Sequence, residues 1–162
     1  YTDGDNRNIL AVHSLSKRSN LAGYRAAFVV GDPALIAQIL EVRKHAGMMV
    51  PLPVQKAMVA ALSDSHHVAE QRARYNARKS VLIPALQAAG FTIDFSDAGL
   101  YLWATRSEDC WKSVEWLATL GVLATPGIFY GEHGSRHIRI AMTATDSQIA
   151  DAADRINKAV KA

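Results

Sequence analysis

Two short apolar runs open the pattern, Ile9-Leu10-Ala11-Val12 and Ala26-Ala27-Phe28-Val29-Val30. Runs of that length and composition read as buried strands. Asp32-Pro33 then supplies a helix start, an N-cap acceptor followed by proline at the first helical position. Ala34, Leu35, Ile39, Leu40 and Val42 recur at helical spacing until Gly47. Pro51 and Pro53 break the chain and open a second helix over 54–62. Ser63-Asp64-Ser65 caps a longer one over 66–89, closed by Gly90. Pro84 falls inside it, and interior proline costs about 3 kcal/mol relative to alanine, which predicts a kink or a break. From Phe91 the period changes from helical to two. Strands are predicted over 91–95, 100–103, 122–124 and 138–141, with a helix over 113–120 and a last one from Thr145-Asp146 whose Ile149, Ala152, Ala153, Ile156 and Val160 share a face. Strands mixed with helices after Gly90 fit an α+β unit.

The stretch joining the first two runs carries the most specific chemistry, Ser14-Leu15-Ser16-Lys17-Arg18-Ser19-Asn20-Leu21-Ala22-Gly23-Tyr24-Arg25. A lysine amine forms an imine with an aldehyde, while serine hydroxyls and a guanidinium hold a phosphate beside it. One small molecule with both groups is pyridoxal phosphate. A lysine that forms an imine spends time as a neutral amine, which burial and nearby positive charge favour. Lys17 is therefore expected on a loop between two core strands, with Arg25 opening the second. Tyr24 lies between them in sequence and fits either the site or the core.

Arg139, inside the apolar run His137-Ile138-Arg139-Ile140-Ala141, costs free energy unless its charge is paired. It reads either as an edge-strand residue facing solvent or as a fork that captures a carboxylate. Trp103, Trp111 and Trp116 read as core. Six histidines include one adjacent pair, His66-His67, whose side chains diverge on a helix, so no metal site is expected.

Composition adds little. Hydrophobic residues make up 49%, enough for a core, and the net charge of +3 is mild. Arg72, Arg74, Arg78 and Lys79 cluster near Glu70 with Tyr75 as the one aromatic, which reads as a solvated helix face and not a nucleic-acid surface. A single cysteine, Cys110, excludes an internal disulfide and suits a reducing cytoplasm. No apolar run reaches membrane-spanning length.

The lysine segment resembles the cofactor-lysine signature of the class I/II aminotransferases, the fold-type I pyridoxal-phosphate enzymes. Further along, Asp97-Ala98-Gly99-Leu100-Tyr101-Leu102-Trp103 resembles that family's entry to its small domain. Val122-Leu123-Ala124-Thr125-Pro126-Gly127-Ile128-Phe129-Tyr130 resembles its V-x-x-x-P-G-x-x-F loop, with Tyr130 at the last aromatic position. The resemblance implies that Lys17 is the catalytic, cofactor-bound lysine, that Ser14, Ser16 and Arg25 bind the cofactor phosphate, and that Arg139 grips the substrate α-carboxylate. It implies an α/β fold: the end of the large cofactor domain over 1–63, a bridging helix over 64–90 and a small α+β domain over 91–162. Amino-acid and 2-oxo-acid substrates, a homodimer and a cytoplasmic location are implied as well. The wording Ala22-Gly23-Tyr24-Arg25 and Arg43-Lys44-His45-Ala46-Gly47-Met48-Met49-Val50-Pro51 is most similar to actinobacterial N-succinyldiaminopimelate aminotransferases of lysine biosynthesis.

The chain starts at Tyr1 with a polar turn over 1–8, and family subunits are roughly twice as long. It is therefore expected to be the C-terminal part of a subunit and inactive alone. Another fold-type I activity, such as a β-lyase or a broad-specificity amino-acid aminotransferase, shares the same lysine kit. A folded piece without catalysis is the third reading.

Overall fold

The computed structural model describes residues 4–161, so the polar turn expected over 1–8 lies partly outside the described residues. The chain divides into two compact units, one up to Glu70 and one from Gln71.

In the first unit, β1 (Leu10–Ser14) runs into a single helical turn, α1 (Leu15–Arg18), then a 3-10 turn over Ala22–Tyr24 and β2 (Ala27–Gly31). β1 and β2 pair antiparallel, with Ser14 opposite Ala27 and Leu10 opposite Gly31. Helices α2 (Pro33–His45) and α3 (Leu52–Ser63) follow. Asp32 caps α2 by accepting the Ala34 N–H at 2.8 Å, and proline stands at the first helical position, as the sequence indicates. Leu15, Ala26 and Met58 form a small core, with Leu21, Phe28, Val50, Val54 and Ala61 packed on it.

Both strands differ from expectation in burial. β1 is exposed along its whole length, and Val12 is 70% exposed. Among the described residues each strand pairs only with the other, so neither is a central strand here, and the small core covers little of the hairpin.

The second unit takes in most of α4 (His66–Ala88) and continues with β3 (Thr92–Asp94), β4 (Tyr101–Thr105), α5 (Cys110–Thr119), β5 (Thr125–Pro126), β6 (Ile138–Ala141) and α6 (Asp146–Lys161). The sheet is antiparallel, in the order β3-β4-β6-β5. Its core joins Leu82 and Leu86 of α4, Leu102 and Ala104 of β4, Leu117 of α5, Ile138 and Ile140 of β6, and Ile149 and Ile156 of α6.

Four local expectations need correction. First, of the kink or break expected at Pro84 there is no break: α4 continues through it to Ala88. Proline removes the helical donor of the Ser80 carbonyl, and Ser80 and Pro84 are both exposed residues. Second, the strand expected over 122–124 is shifted to Thr125–Pro126. It lies at the sheet edge, where a proline without an N–H is tolerated. Third, the strand expected over 91–95 spans only Thr92–Asp94, with Phe95 turned to φ 49° and 96% exposed. Fourth, the basic face of α4 is not wholly solvated. Lys79 is buried and donates to the Ser96 carbonyl at 2.8 Å, while Arg78 pairs with Asp146 at 2.6 Å. No helix among the described residues is long and apolar enough to cross a membrane.

Candidate functional site

The residues singled out in sequence fall into two constellations, one in each unit. In the first, Ser14 ends β1 and caps α1: its Oγ accepts the Ser16 N–H at 3.1 Å and lies 2.8 Å from Ser16 Oγ. Lys17 is the third residue of that turn and is exposed. The loop expected around it is thus a helical turn, and the expected burial is not present. The reason is local: Leu15 points into the core at 1% exposure, which turns Lys17, two residues on, outward.

Arg25 stands just before β2 and does not open it. Its backbone is left-handed, φ 50° and ψ 45°, a conformation few non-glycine residues adopt. One guanidinium N–H donates to the Ala22 carbonyl at 3.0 Å. Pairing of Ser14 with Ala27 returns the chain so that Arg25, two residues from Ala27, comes back to the end of the hairpin where Ser14 caps α1. The donor set at that end is two hydroxyls, a primary amine and a guanidinium with N–H groups to spare. A phosphate with an aldehyde on the same molecule matches that chemistry, so these residues fit pyridoxal phosphate. Tyr24 is half exposed and does not join the core.

Two residues that support the lysine turn are not evident from the sequence. Arg18 donates to the Ala61 carbonyl at 3.1 Å, tying α1 to the end of α3. His67 bridges Asp64 Oδ2 at 2.8 Å and Ser19 Oγ at 3.0 Å. Hydrogen bonding from His67 and then from the His66 N–H holds the Asp64 carboxyl below its ordinary range. Asp64 two and three residues ahead of His66-His67 at a helix start is the available signal, a cap that also orients an imidazole.

The second constellation occupies one face of the four-stranded sheet. Leu102, Ala104, Ile138 and Ile140 fill the core face, so Tyr101, Trp103 and Arg139 project from the other. Arg139 pairs across the sheet with Trp103 on one side and Thr125 on the other. Because β6 is flanked by two strands, the edge-strand alternative is excluded. The Arg139 guanidinium carbon stands 4.2 Å from the Tyr101 ring centre and 5.2 Å from that of Tyr130. Its Nε is buried and has no hydrogen-bond partner among the described residues. No carboxylate among the described residues pairs with it. The arrangement is a cation desolvated by aromatic rings with N–H donors available, suited to a carboxylate.

Trp103 is not core, contrary to expectation. Its indole stacks on His137, with centroids 5.1 Å apart and planes 7° apart, and meets Tyr130 edge-on at 5.8 Å. His137 in turn reaches Asp94 Oδ2 at 3.0 Å. Trp116 packs against the core as expected, whereas Trp111 is 46% exposed and edge-on to Phe129. Cys110 is buried at the start of α5.

The family described as aminotransferase class I and II matches residues 2–156. A probable aminotransferase of Mycobacterium tuberculosis is 61% identical over 95% of this chain and 37% of its own length. The 4-dedimethylamino-4-oxo-anhydrotetracycline transaminase of Streptomyces rimosus is 61% identical over 94% of this chain and 43% of its own. An LL-diaminopimelate aminotransferase of Natranaerobius thermophilus is 33% identical over 89% and 38%. Among solved structures, an aminotransferase from Neisseria meningitidis superposes with a TM-score of 0.86 at 32% identity, over 96% of this chain and 42% of that one. The chain therefore spans 37 to 43% of the length of these curated relatives.

Proposed function

The chain belongs to the class I and II aminotransferase family, and from that premise we propose that it supplies the lysine and the carboxylate-binding arginine of a pyridoxal-phosphate-dependent aminotransferase. The observation that carries the reading is the β1–β2 pairing, which returns Arg25 to the hairpin end where Ser14, Ser16 and Lys17 form one turn. Bound there, pyridoxal phosphate supplies a carbonyl that exchanges amines and a ring that stabilises negative charge at the substrate α-carbon.

The chain's own residues divide the remaining work. Ser14, Ser16 and Arg25 hold the phosphate through hydroxyl and guanidinium donors. Lys17 Nζ would hold the cofactor through its amine, and that amine, when free, would take the proton from the substrate α-carbon as a general base and return a proton as a general acid. Arg139 grips the α-carboxylate common to amino acids and 2-oxo acids, which suits an enzyme that accepts both in turn. In this reading 1–63 closes a large cofactor domain, 64–90 is the connecting helix and 91–162 is the small domain. The exposed apolar side chains of β1 and β2 meet the remainder of a longer subunit, which acts as a cytoplasmic homodimer.

For the substrate, transfer between glutamate and N-succinyl-LL-diaminopimelate in lysine biosynthesis is supported by the wording of 22–25 and 43–51 and by similarity to LL-diaminopimelate aminotransferases. A second acceptor class is favoured by one observation, the 61% identity to a transaminase named for a tetracycline intermediate. A panel of amino donors and 2-oxo acids on the full-length enzyme separates the two.

The cofactor role is tested by adding pyridoxal phosphate and recording the visible absorption of the lysine-bound form. Lys17→Ala is expected to abolish that band. A band that survives the substitution would overturn the assignment.

A further inference from the structure

Arg139 is partly withdrawn from water without a carboxylate at its side among the described residues, and what surrounds it is aromatic. Tyr101 is the first residue of β4 and Tyr130 the last of the 3-10 turn Gly127–Tyr130, yet both rings reach the same guanidinium, at 4.2 and 5.2 Å. A ring face attracts a cation without accepting an N–H in the plane of the fork. A neighbouring carboxylate would instead occupy those donors. Neutralisation by rings therefore leaves the hydrogen-bonding edge of the guanidinium for a ligand, consistent with the partnerless Nε.

Tyr130 is itself held. Trp103 meets it edge-on at 5.8 Å, and Trp103 is fixed by its stack on His137 and by direct pairing with Arg139 across the sheet. The turn that carries Tyr130 is anchored at its start, where Gly127 N–H donates to the His137 carbonyl at 2.7 Å.

We infer that Tyr101 and Tyr130 are positioning residues: their rings hold the Arg139 guanidinium in one orientation with its donors free, so that a substrate carboxylate is gripped in a fixed pose. This rests on the reading of Arg139 as the carboxylate-binding arginine. The rings, and not the phenol hydroxyls, perform the task.

The test is steady-state kinetics on the full-length enzyme with Tyr101→Leu, Tyr130→Leu and the matching phenylalanine variants, each also combined with Arg139→Gln. Tyr130 is more than half exposed, so its variants keep the fold even where those at Tyr101 do not. Each leucine variant is expected to raise KM for both the amino acid and the 2-oxo acid roughly tenfold, with kcat little changed. Phenylalanine is expected to restore wild-type KM. In the Arg139→Gln background leucine is expected to add nothing, because the rings act through the guanidinium. Wild-type KM in both leucine variants, with a steep rise in Arg139→Gln, would remove the positioning role and leave the arginine assignment standing. Phenylalanine variants as impaired as leucine would also overturn it. An unchanged KM in Arg139→Gln would remove both.

Discussion

Trp103 and Arg139 lie directly opposite each other in the antiparallel pairing of β4 with β6, so indole and guanidinium rise from the same face of the sheet. That register ties together residues distant in sequence. Tyr101 is diagonal to Arg139 on the same face, Asp94 pairs with Trp103 from β3, and Tyr130 is carried in by the turn that follows β5. The other face of the same strands is core. One side of the sheet is thus buried in the core, and the other carries Arg139 among aromatic rings.

The turn bearing Tyr130 depends on two glycines in close approach. A Cβ on Gly127 would lie 2.3 Å from the Gly134 carbonyl oxygen, 2.5 Å from that of His137 and 2.8 Å from the Trp103 ring. Backbone on two sides leaves no room to relax. Gly127→Ala is expected to destabilise the chain by about 1–3 kcal/mol and to shift Trp103 fluorescence. Gly23→Ala, where a Cβ meets nothing within 4 Å, is the control and is expected to change stability little. Equal denaturation midpoints for the two variants would contradict the packing described.

The strands of this face were legible in the sequence, over 100–103 and 138–141, but their faces were not: Trp103 reads as core in the sequence and lies on the face opposite the core in the fold. Which strands adjoin, and in what register, is set by tertiary pairing, so the approach of Tyr101 and Tyr130 to Arg139 was not visible. Lys79 shows the same limit. In sequence it belongs to a basic helix surface, and its burial follows from a turn at 96–98 whose carbonyls accept from its ammonium. At the lysine turn the sequence shows Ser14, Lys17 and Arg25 close together, and the β1–β2 pairing brings the residues flanking the turn to one end of the hairpin. Burial there was not legible, because apolar runs report a capacity for being covered, while among the described residues the hairpin strands pair only with each other.

Acid sensitivity has an identifiable contributor in Asp32. Its Oδ2 accepts the Asn8 N–H at 2.7 Å and its Oδ1 the Ala34 N–H at 2.8 Å. These bonds, Asn8 first, favour the ionised form over the opposing effect of burial and hold the carboxyl below its ordinary range. A carboxyl lowered in the folded state adds stability that is present above the unfolded value, about 3.9, and is lost as pH falls through the folded value. Asp32→Asn keeps a capping acceptor but cannot ionise. Its denaturation midpoint is expected to fall less steeply than wild type below about pH 4. Parallel acid profiles for the two proteins would show that Asp32 does not contribute.

Pro84 offers a gain in stability. The helix passes through it, so the folded state already bears the missing N–H, and Ser80, whose carbonyl that N–H would reach, is an exposed residue. Alanine restores that donor, worth about 3 kcal/mol in helix interiors. The greater freedom it gives the unfolded chain offsets roughly 0.4–1 kcal/mol. Pro84→Ala is therefore expected to stabilise the chain by about 2 kcal/mol, read as a higher midpoint in urea with unchanged slope. A lower midpoint would mean that the proline ring makes contacts worth more than the restored hydrogen bond.

Arg139→Lys separates charge from geometry at the proposed carboxylate site. Lysine keeps the positive charge but loses the planar fork, so a bidentate grip becomes a single contact. A hydrogen bond to a charged group contributes about 1.5–3 kcal/mol, which corresponds to a rise in KM of about ten- to a hundredfold. The rise is expected for the amino acid and the 2-oxo acid alike, because both present the same carboxylate. Absorption of bound cofactor should be unaffected, since Ser14, Ser16, Lys17 and Arg25 lie on separate elements from β6. Steady-state kinetics and a cofactor titration on the full-length enzyme make both measurements. A rise in KM for one substrate only would assign Arg139 to the distal end of that substrate, and an unchanged KM for both would exclude it from the site.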